Sequence, residues 1–291
     1  MKILNQKILF VFFVSLAFCS EDKKYTFQYT FDYPEDSTEY IEKWEHSMEL
    51  SFDVPGIGYV KYASSYISLS QYLGKDGEFY KFKSTVIDME SNNSVNNIKL
   101  KNYYREAMEG KPCYIYVKIK GNGLIDYIEP VDPEHAYLQD AYEDAYMGLA
   151  PRNYRYPLGR LAQNISEGGS WISSDDSLKF FIGFGSPQSR WWSRTTWNLK
   201  KVKDKKGIKT AHIDGIDDIK TDINMMVDIF GEMRLITGKA SGKRNVKLRW
   251  DVENTGVIFS RTRVQLQGDF EMDDETFSSK LYYKLFTKRV K

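Results

Sequence analysis

Three histidines, His46, His135 and His212, are the side chains with which this chain can move protons near neutral pH. None lies within a few residues of another histidine or of Cys113, so the short ligand spacing of a zinc site is absent. His46 sits among Trp44, Glu45 and Met48, and His135 opens a predicted helix; both read as packing or surface residues. His212 precedes Ile213-Asp214, and a Ser–His–Asp set is open to it only through three-dimensional assembly. Gly183-Phe184-Gly185-Ser186-Pro187 resembles a nucleophile elbow only in part, and Pro187 points to a turn instead. Gly168-Gly169-Ser170-Trp171 lacks the lysine and following helix of a phosphate loop. The acidic groups Asp175-Asp176, Asp214/Asp217/Asp218 and Asp273-Asp274-Glu275 lack the alternating oxygen ligands and glycine of a calcium loop, and read as hairpin tips in water. The expectation is a non-enzymatic protein without metal or cofactor.

Binding chemistry is better represented. Ser189-Arg190-Trp191-Trp192-Ser193-Arg194 places two indoles between two guanidinium groups, with Trp197 close behind. On a strand Trp191 and Trp192 face opposite sides, so one ring lies off the main core. Arg190, Trp191, Trp192 and Arg194 are therefore the predicted contact residues for a ligand or a protein partner, against the plainer reading that the outer ring covers a sheet edge. Lys200, Lys201, Lys203, Lys205 and Lys206 follow, either as a solvated hairpin tip or as a site for anionic lipid. A net charge of +1 carries no basic excess for a nucleic acid.

Residues 1–19 read as an export signal: Lys2 and Lys7 precede the apolar run Ile8–Phe18, which is too short to cross a bilayer core of ~30 Å. Two ends are open to it. Cleavage after Cys19 removes the segment, or Leu16-Ala17-Phe18-Cys19 acts as a lipobox and Cys19 carries a lipid, although Phe18 departs from the small residue of that motif. A lipid at Cys19 is the one membrane attachment predicted. Either outcome leaves Cys113 without a disulfide partner, as a small buried hydrophobe on a strand. The product is expected to be exported, and periplasmic or anchored to the outer membrane in a bacterium.

The elements that must position these residues are mostly strands. Val246, Leu248, Trp250 and Val252 alternate with Lys247, Arg249, Asp251 and Glu253, Asn254-Thr255-Gly256 turns, and Ile258, Val264, Leu266 and Phe270 return on the same face. The same pattern stands 133 residues earlier, with Ile115, Val117, Ile119, Gly123 and Ile125 in step with Leu248, Trp250, Val252, Gly256 and Ile258. Strands are also expected from Tyr25, over Tyr40–Val54, Tyr59–Leu73 and Phe79–Met89, and over Leu178–Gly185, Trp191–Val202, Ile208–Ile216, Met225–Ile236 and Lys280–Thr287, with Gly238 to Gly242 as a turn. Two amphipathic helices interrupt them, one over Leu100–Met108 capped by Asn97, one capped by Asp132 and ended by Gly148. The predicted class is mostly antiparallel β: two related curved sheets, or one continuous half-barrel, with two short helices. The division is a signal segment 1–19, an N-terminal half 20–150 with both helices, and a C-terminal half 151–291.

The signal segment, the Pro157…Gly169-Ser170-Trp171 connector and the Asn254-Thr255-Gly256 hairpin resemble an uncharacterised group of exported bacterial β proteins. Curved sheets holding helices are also similar to lipoprotein carriers. The resemblance implies an envelope binding or carrier module for an apolar or amphipathic ligand, such as a lipid. The competing expectation is an envelope scaffold that holds a protein partner and no small ligand.

Overall fold

The computed structural model describes residues 23–27, 41–100, 109–110, 112–119, 125–130, 164–180, 189–205, 207–253 and 256–290. A two-strand ribbon pairs β1 (Lys24–Tyr25) with β9 (Ile165–Ser166). The other strands form one antiparallel sheet. Its first members in the chain are β2 (Ile41–Val54), β3 (Gly58–Asp76), β4 (Phe79–Ser91), the short pair β5 (Ser94–Val95) and β6 (Ile98–Lys99), β7 (Pro112–Ile119) and β8 (Ile125–Pro130). The second half supplies β10 (Ser170–Phe180), β11 (Ser189–Lys205), β12 (Ile208–Ile229), β13 (Glu232–Asp251), β14 (Gly256–Met272) and β15 (Glu275–Val290). Eleven strands follow one hydrogen-bonded path, β10-β11-β12-β13-β14-β15-β2-β3-β4-β7-β8, with β5 and β6 appended to β3.

Alternation explains the sheet. Ala211, Ile213, Ile219, Ile223, Met225 and Val227 of β12 are buried, and Asp214, Asp218, Lys220 and Asp222 between them face out, while Asp217 shares the buried face. Even positions do the same on β13 and β14, where Val246, Leu248, Trp250, Val264, Leu266 and Phe270 are buried. Pairing carries this inner face across the sheet in rows, one of which runs Leu199, Ile213, Leu248, Ser260, Thr287, His46 and Tyr66. Trp44, Trp197 and Trp250 are fully buried, and Phe27 stacks on Trp171 and meets Trp250 edge-on. That contact seats the β1 end of the chain on the β10–β13 part of the sheet.

Both hairpins singled out by alternation are present: β7–β8 pairs Val117 with Ile128, and β13–β14 pairs Trp250 with Val257. Shifting the chain by 133 residues lays β2, β3, β4, β7 and β8 in order over β10 to β14, although the registers differ. β15 joins the two sets of five by pairing with β14 on one side and β2 on the other.

Several expectations are corrected. Apart from the β1–β9 ribbon, the described strands make one large sheet rather than two related ones. Asn97 is not a helix cap: Asn96-Asn97, both at positive φ, make the two-residue turn of the β5–β6 hairpin, and the Leu100 N–H bonds the Asn93 carbonyl. Met225–Ile236 is not one strand, because Phe230-Gly231 turns the chain there. Gly238 to Gly242 is not a turn. Both glycines lie inside β13, where a Cβ on Gly242 would stand 1.9 Å from the Gln265 carbonyl oxygen, so close strand approach requires them. Asp214, Asp217 and Asp218 are not at a tip either, but mid-way along β12. The predicted helices over 101–108 and 132–148, the signal segment 1–19 and Cys19 lie outside the described residues.

Candidate functional site

Each side of the sheet holds a group of polar residues, and burial separates them. On the inner face, β2 and β3 bring the His46 Nε2 within 3.0 Å of the Ser68 hydroxyl, while its Nδ1 lies 3.4 Å from the Thr287 hydroxyl of β15. Tyr66 stacks on the imidazole at 4.6 Å. A serine–histidine contact is the start of a nucleophilic site, but Ser68 is wholly buried and the second ring nitrogen faces a hydroxyl, not a carboxylate. The geometry is that of a satisfied core histidine. Nearby, Arg289 reaches Glu42 at 3.5 Å and Asp251 at 3.2 Å, and the Trp44 indole N–H donates to Glu42. Arg244 of β13 grips Asp217 of β12 through both of its carboxylate oxygens and donates to Thr195 of β11, all three in one row of the sheet. These buried charges are paired, and they tie strands together.

His212 lies away from this group, opposite Arg249 and Lys201. Partial burial, then Arg249, Lys201 and Lys203, hold its pKa below the ordinary value against the pull of Asp214. No group of three His, Cys, Asp or Glu able to hold a metal occurs among the described residues.

Among the described residues, two grooves lie on the outer face. The first, of about 500 Å³, is lined by Trp192, Arg194, Asp218, Lys220 and Lys243, so two of the four predicted contact residues meet there. Pairing explains it: Trp192 faces Lys220, Arg194 faces Asp218, and Lys243 stands opposite Asp218 on the next strand. Trp192 is half-buried and Arg194 exposed. Arg190 and Trp191 lie on the same strand, with backbones paired to Asp222 and Thr221 of β12.

The second groove, of about 760 Å³, crosses β14, β15, β2 and β3 and was not foreseen. Arg261 and Arg263 of β14, Lys284 and Phe286 of β15, Glu49 of β2 and Ala63 of β3 line it, with Lys99, Glu90, Asn92 and serines 47, 64, 65 and 91 around them. Lys284 bonds Glu49 at 2.6 Å, and Lys61 reaches the same carboxylate at 3.5 Å. The hydrogen bond from Lys284 and the two positive charges hold Glu49 below the usual carboxylate range against its partial burial. Arg261 and Arg263 have no carboxylate within ion-pair distance among the described residues. Beside them Phe259 and Phe286 meet edge-on at 5.5 Å, and Arg249 lies 4.7 Å over Phe259. The arrangement offers two guanidinium groups to an anion, next to half-buried aromatic rings. The signal available in the sequence was Phe259-Ser260-Arg261-Thr262-Arg263, two outward arginines on one strand, which gains meaning only when β15 and β2 are laid beside it.

No protein-family model matches the chain, and no curated protein matches it. Among solved structures it is weakly similar to DynF from the dynemicin biosynthesis pathway of Micromonospora chersina, at 8% identity and a TM-score of 0.22 over 93% of this chain and 92% of that one. It is also weakly similar to a DUF1329 family protein from Desulfovibrio piger, at 9% identity and a TM-score of 0.15 over 87% and 88% of the two chains. The protein is a large antiparallel β-sheet protein.

Proposed function

We propose that this is an exported, non-enzymatic binding module of the cell envelope, built from two related halves, that takes an amphipathic ligand by its anionic end. One observation carries the reading: Arg261 and Arg263, without acidic partners among the described residues, stand in a groove whose remaining wall includes Phe286. An alkyl phosphate or carboxylate satisfies both features, with its charge on the guanidinium pair and its first methylenes on the phenyl edge. The serines around the groove donate and accept hydrogen bonds without adding charge.

Calorimetric titration with dodecyl phosphate tests this, with inorganic phosphate and a neutral dodecyl glycoside as the other two ligands. The alkyl phosphate is expected to bind more tightly than either. Replacing both Arg261 and Arg263 by alanine is expected to weaken it by about tenfold or more, the size of one or two lost charge-assisted hydrogen bonds. Equal binding of the neutral glycoside, or no effect of the double replacement, rejects the reading.

A second reading, an envelope scaffold that holds a protein partner, draws on the Trp192 and Arg194 groove. Trp192→Ala separates the two, because it is expected to leave alkyl phosphate binding unchanged while removing a partner found by cross-linking.

A further inference from the structure

The β12–β13 hairpin breaks a rule that the other described residues obey. Its turn, Phe230-Gly231, has both residues at positive φ, 55° and 92°. That conformation brings Cβ against the following carbonyl and strains any residue but glycine, with asparagine and aspartate eased by local hydrogen bonds. Two other turns of the sheet have the same form, and they use Asn96-Asn97 and Asp273-Asp274. Here the strained position holds a phenylalanine, and the residue is 59% exposed. Met233 and Leu235, the next outward residues of β13, are 48% and 41% exposed. The hairpin also projects: β13 loses β14 as a neighbour beyond the Thr237–Glu271 pair, so residues 232–236 extend past the end of that strand. Neither turn propensity nor water selects an aromatic ring at such a tip.

The tip is apolar with an acidic border. Arg234 is committed to Glu232 and to Asp273 of the adjacent β14–β15 turn, and Asp274 and Glu275 are exposed beside it. An anionic bilayer repels such a border, whereas a groove that sets cations beside an aromatic ring complements it. The chain carries such a groove: a polar one in which Arg261 and Arg263 stand beside Phe286, with the Lys284–Glu49 pair, Lys99, Glu90 and serines around them.

We propose that the Phe230 hairpin of one copy docks into the Arg261–Arg263 groove of a second copy, Phe230 against Phe286 and the acidic border against the arginines. The receiving half is the groove already assigned to an amphipathic anion, so the proposal shares that premise, and the two occupants compete. Because finger and groove are different surfaces, the contact is heterologous and propagates from copy to copy.

Sedimentation of the full chain from about 1 µM to about 1 mM is expected to show concentration-dependent association. Phe230→Asn suits the turn and so keeps the fold; it and the Arg261→Glu, Arg263→Glu pair are each expected to weaken association by about tenfold or more. Mixed together, the two variants still hold one intact finger and one intact groove, and are expected to form a one-to-one pair that grows no further. Phe230→Asn is expected to keep dodecyl phosphate binding while the arginine variant loses it, which separates failure of this contact from failure of the ligand reading. A wild-type chain that stays monomeric throughout, or mixed variants that do not pair, overturns the proposal. So does a Phe230→Asn effect confined to binding of phosphatidylcholine vesicles.

Discussion

At the scale of single residues, the buried charges and the surface charges make opposite predictions. Arg244 and Asp217 are both nearly inaccessible, and their two-point contact leaves each satisfied. Arg244→Met keeps the bulk but strands a buried carboxylate, and is expected to destabilise the protein by about 3–5 kcal/mol in urea titration. Adding Asp217→Leu to that variant is expected to recover most of the loss, since an apolar pair of similar volume often replaces a buried ion pair at little cost. Glu49 lies at the surface and acts through pH instead. Its folded pKa lies below the unfolded value of 4.5, so its contribution is complete above that value and is lost as pH falls through the folded pKa. Glu49→Gln is expected to flatten the acid limb of the stability curve in that range and no other. His212 shifts in the same direction for a different reason, burial and neighbouring cations holding its folded pKa below 6.5. The folded state resists its protonation, so stability falls as pH drops from 6.5 through the folded pKa. An NMR titration midpoint for His212 below 6.5, and a flatter stability profile in His212→Gln, check this.

At the scale of elements, the strands were legible and their registers were not. Val246–Val252 announces a strand because its side chains alternate, and β13 and β14 lie where that alternation places them. The same alternation cannot say which strand lies beside which, and both outer grooves depend on that. Trp192 and Arg194 were singled out from their own neighbourhood, whereas Lys284 and Phe286 join Arg261 and Arg263 only through the β14–β15 pairing. The turn at Phe230 stayed hidden for a different reason: a phenylalanine at positive φ violates the turn chemistry by which turns are found. The acids of β12 were misplaced because a charged strand face reads like a loop. Register explains them: Asp214, Asp218 and Asp222 stand opposite Lys247, Lys243 and Lys239, and across β15–β2 Glu45 and Glu49 stand opposite Lys288 and Lys284. Opposite charges in line favour this register over slipped ones. Lys243→Glu places like charges face to face across β12–β13, and is expected to cost about 0.2–1 kcal/mol, more at low salt than at high salt.

At the scale of the whole molecule, β15 decides whether the chain behaves as one unit. It is the last strand in sequence, yet it lies between β14 and β2, and Leu281 pairs with Phe52 from the far end of the chain. The Ser279 hydroxyl reaches the Asp53 carbonyl at 2.8 Å across the same seam, and Leu50, Phe52, Val264, Leu266 and Leu281 belong to one buried cluster. Ending the chain at Met272 therefore removes more than a strand. It bares the edges of β14 and β2, both long enough to pair with other chains, and splits the cluster that spans them. The expected result is a chain that loses its single sharp unfolding transition in circular dichroism and aggregates on a sizing column. A truncated chain that keeps one transition at the full-length midpoint shows instead that the two sets of five strands stand alone. The intact chain carries the kinetic counterpart, because the seam closes only after both ends of the sequence have met. Contacts this distant place refolding at the slow end of the range for β proteins, at milliseconds to seconds or longer. Leu281→Ala, which weakens the seam without opening an edge, is expected to show in stopped-flow refolding whether the seam forms before the transition state, by slowing folding, or after it, by speeding unfolding alone.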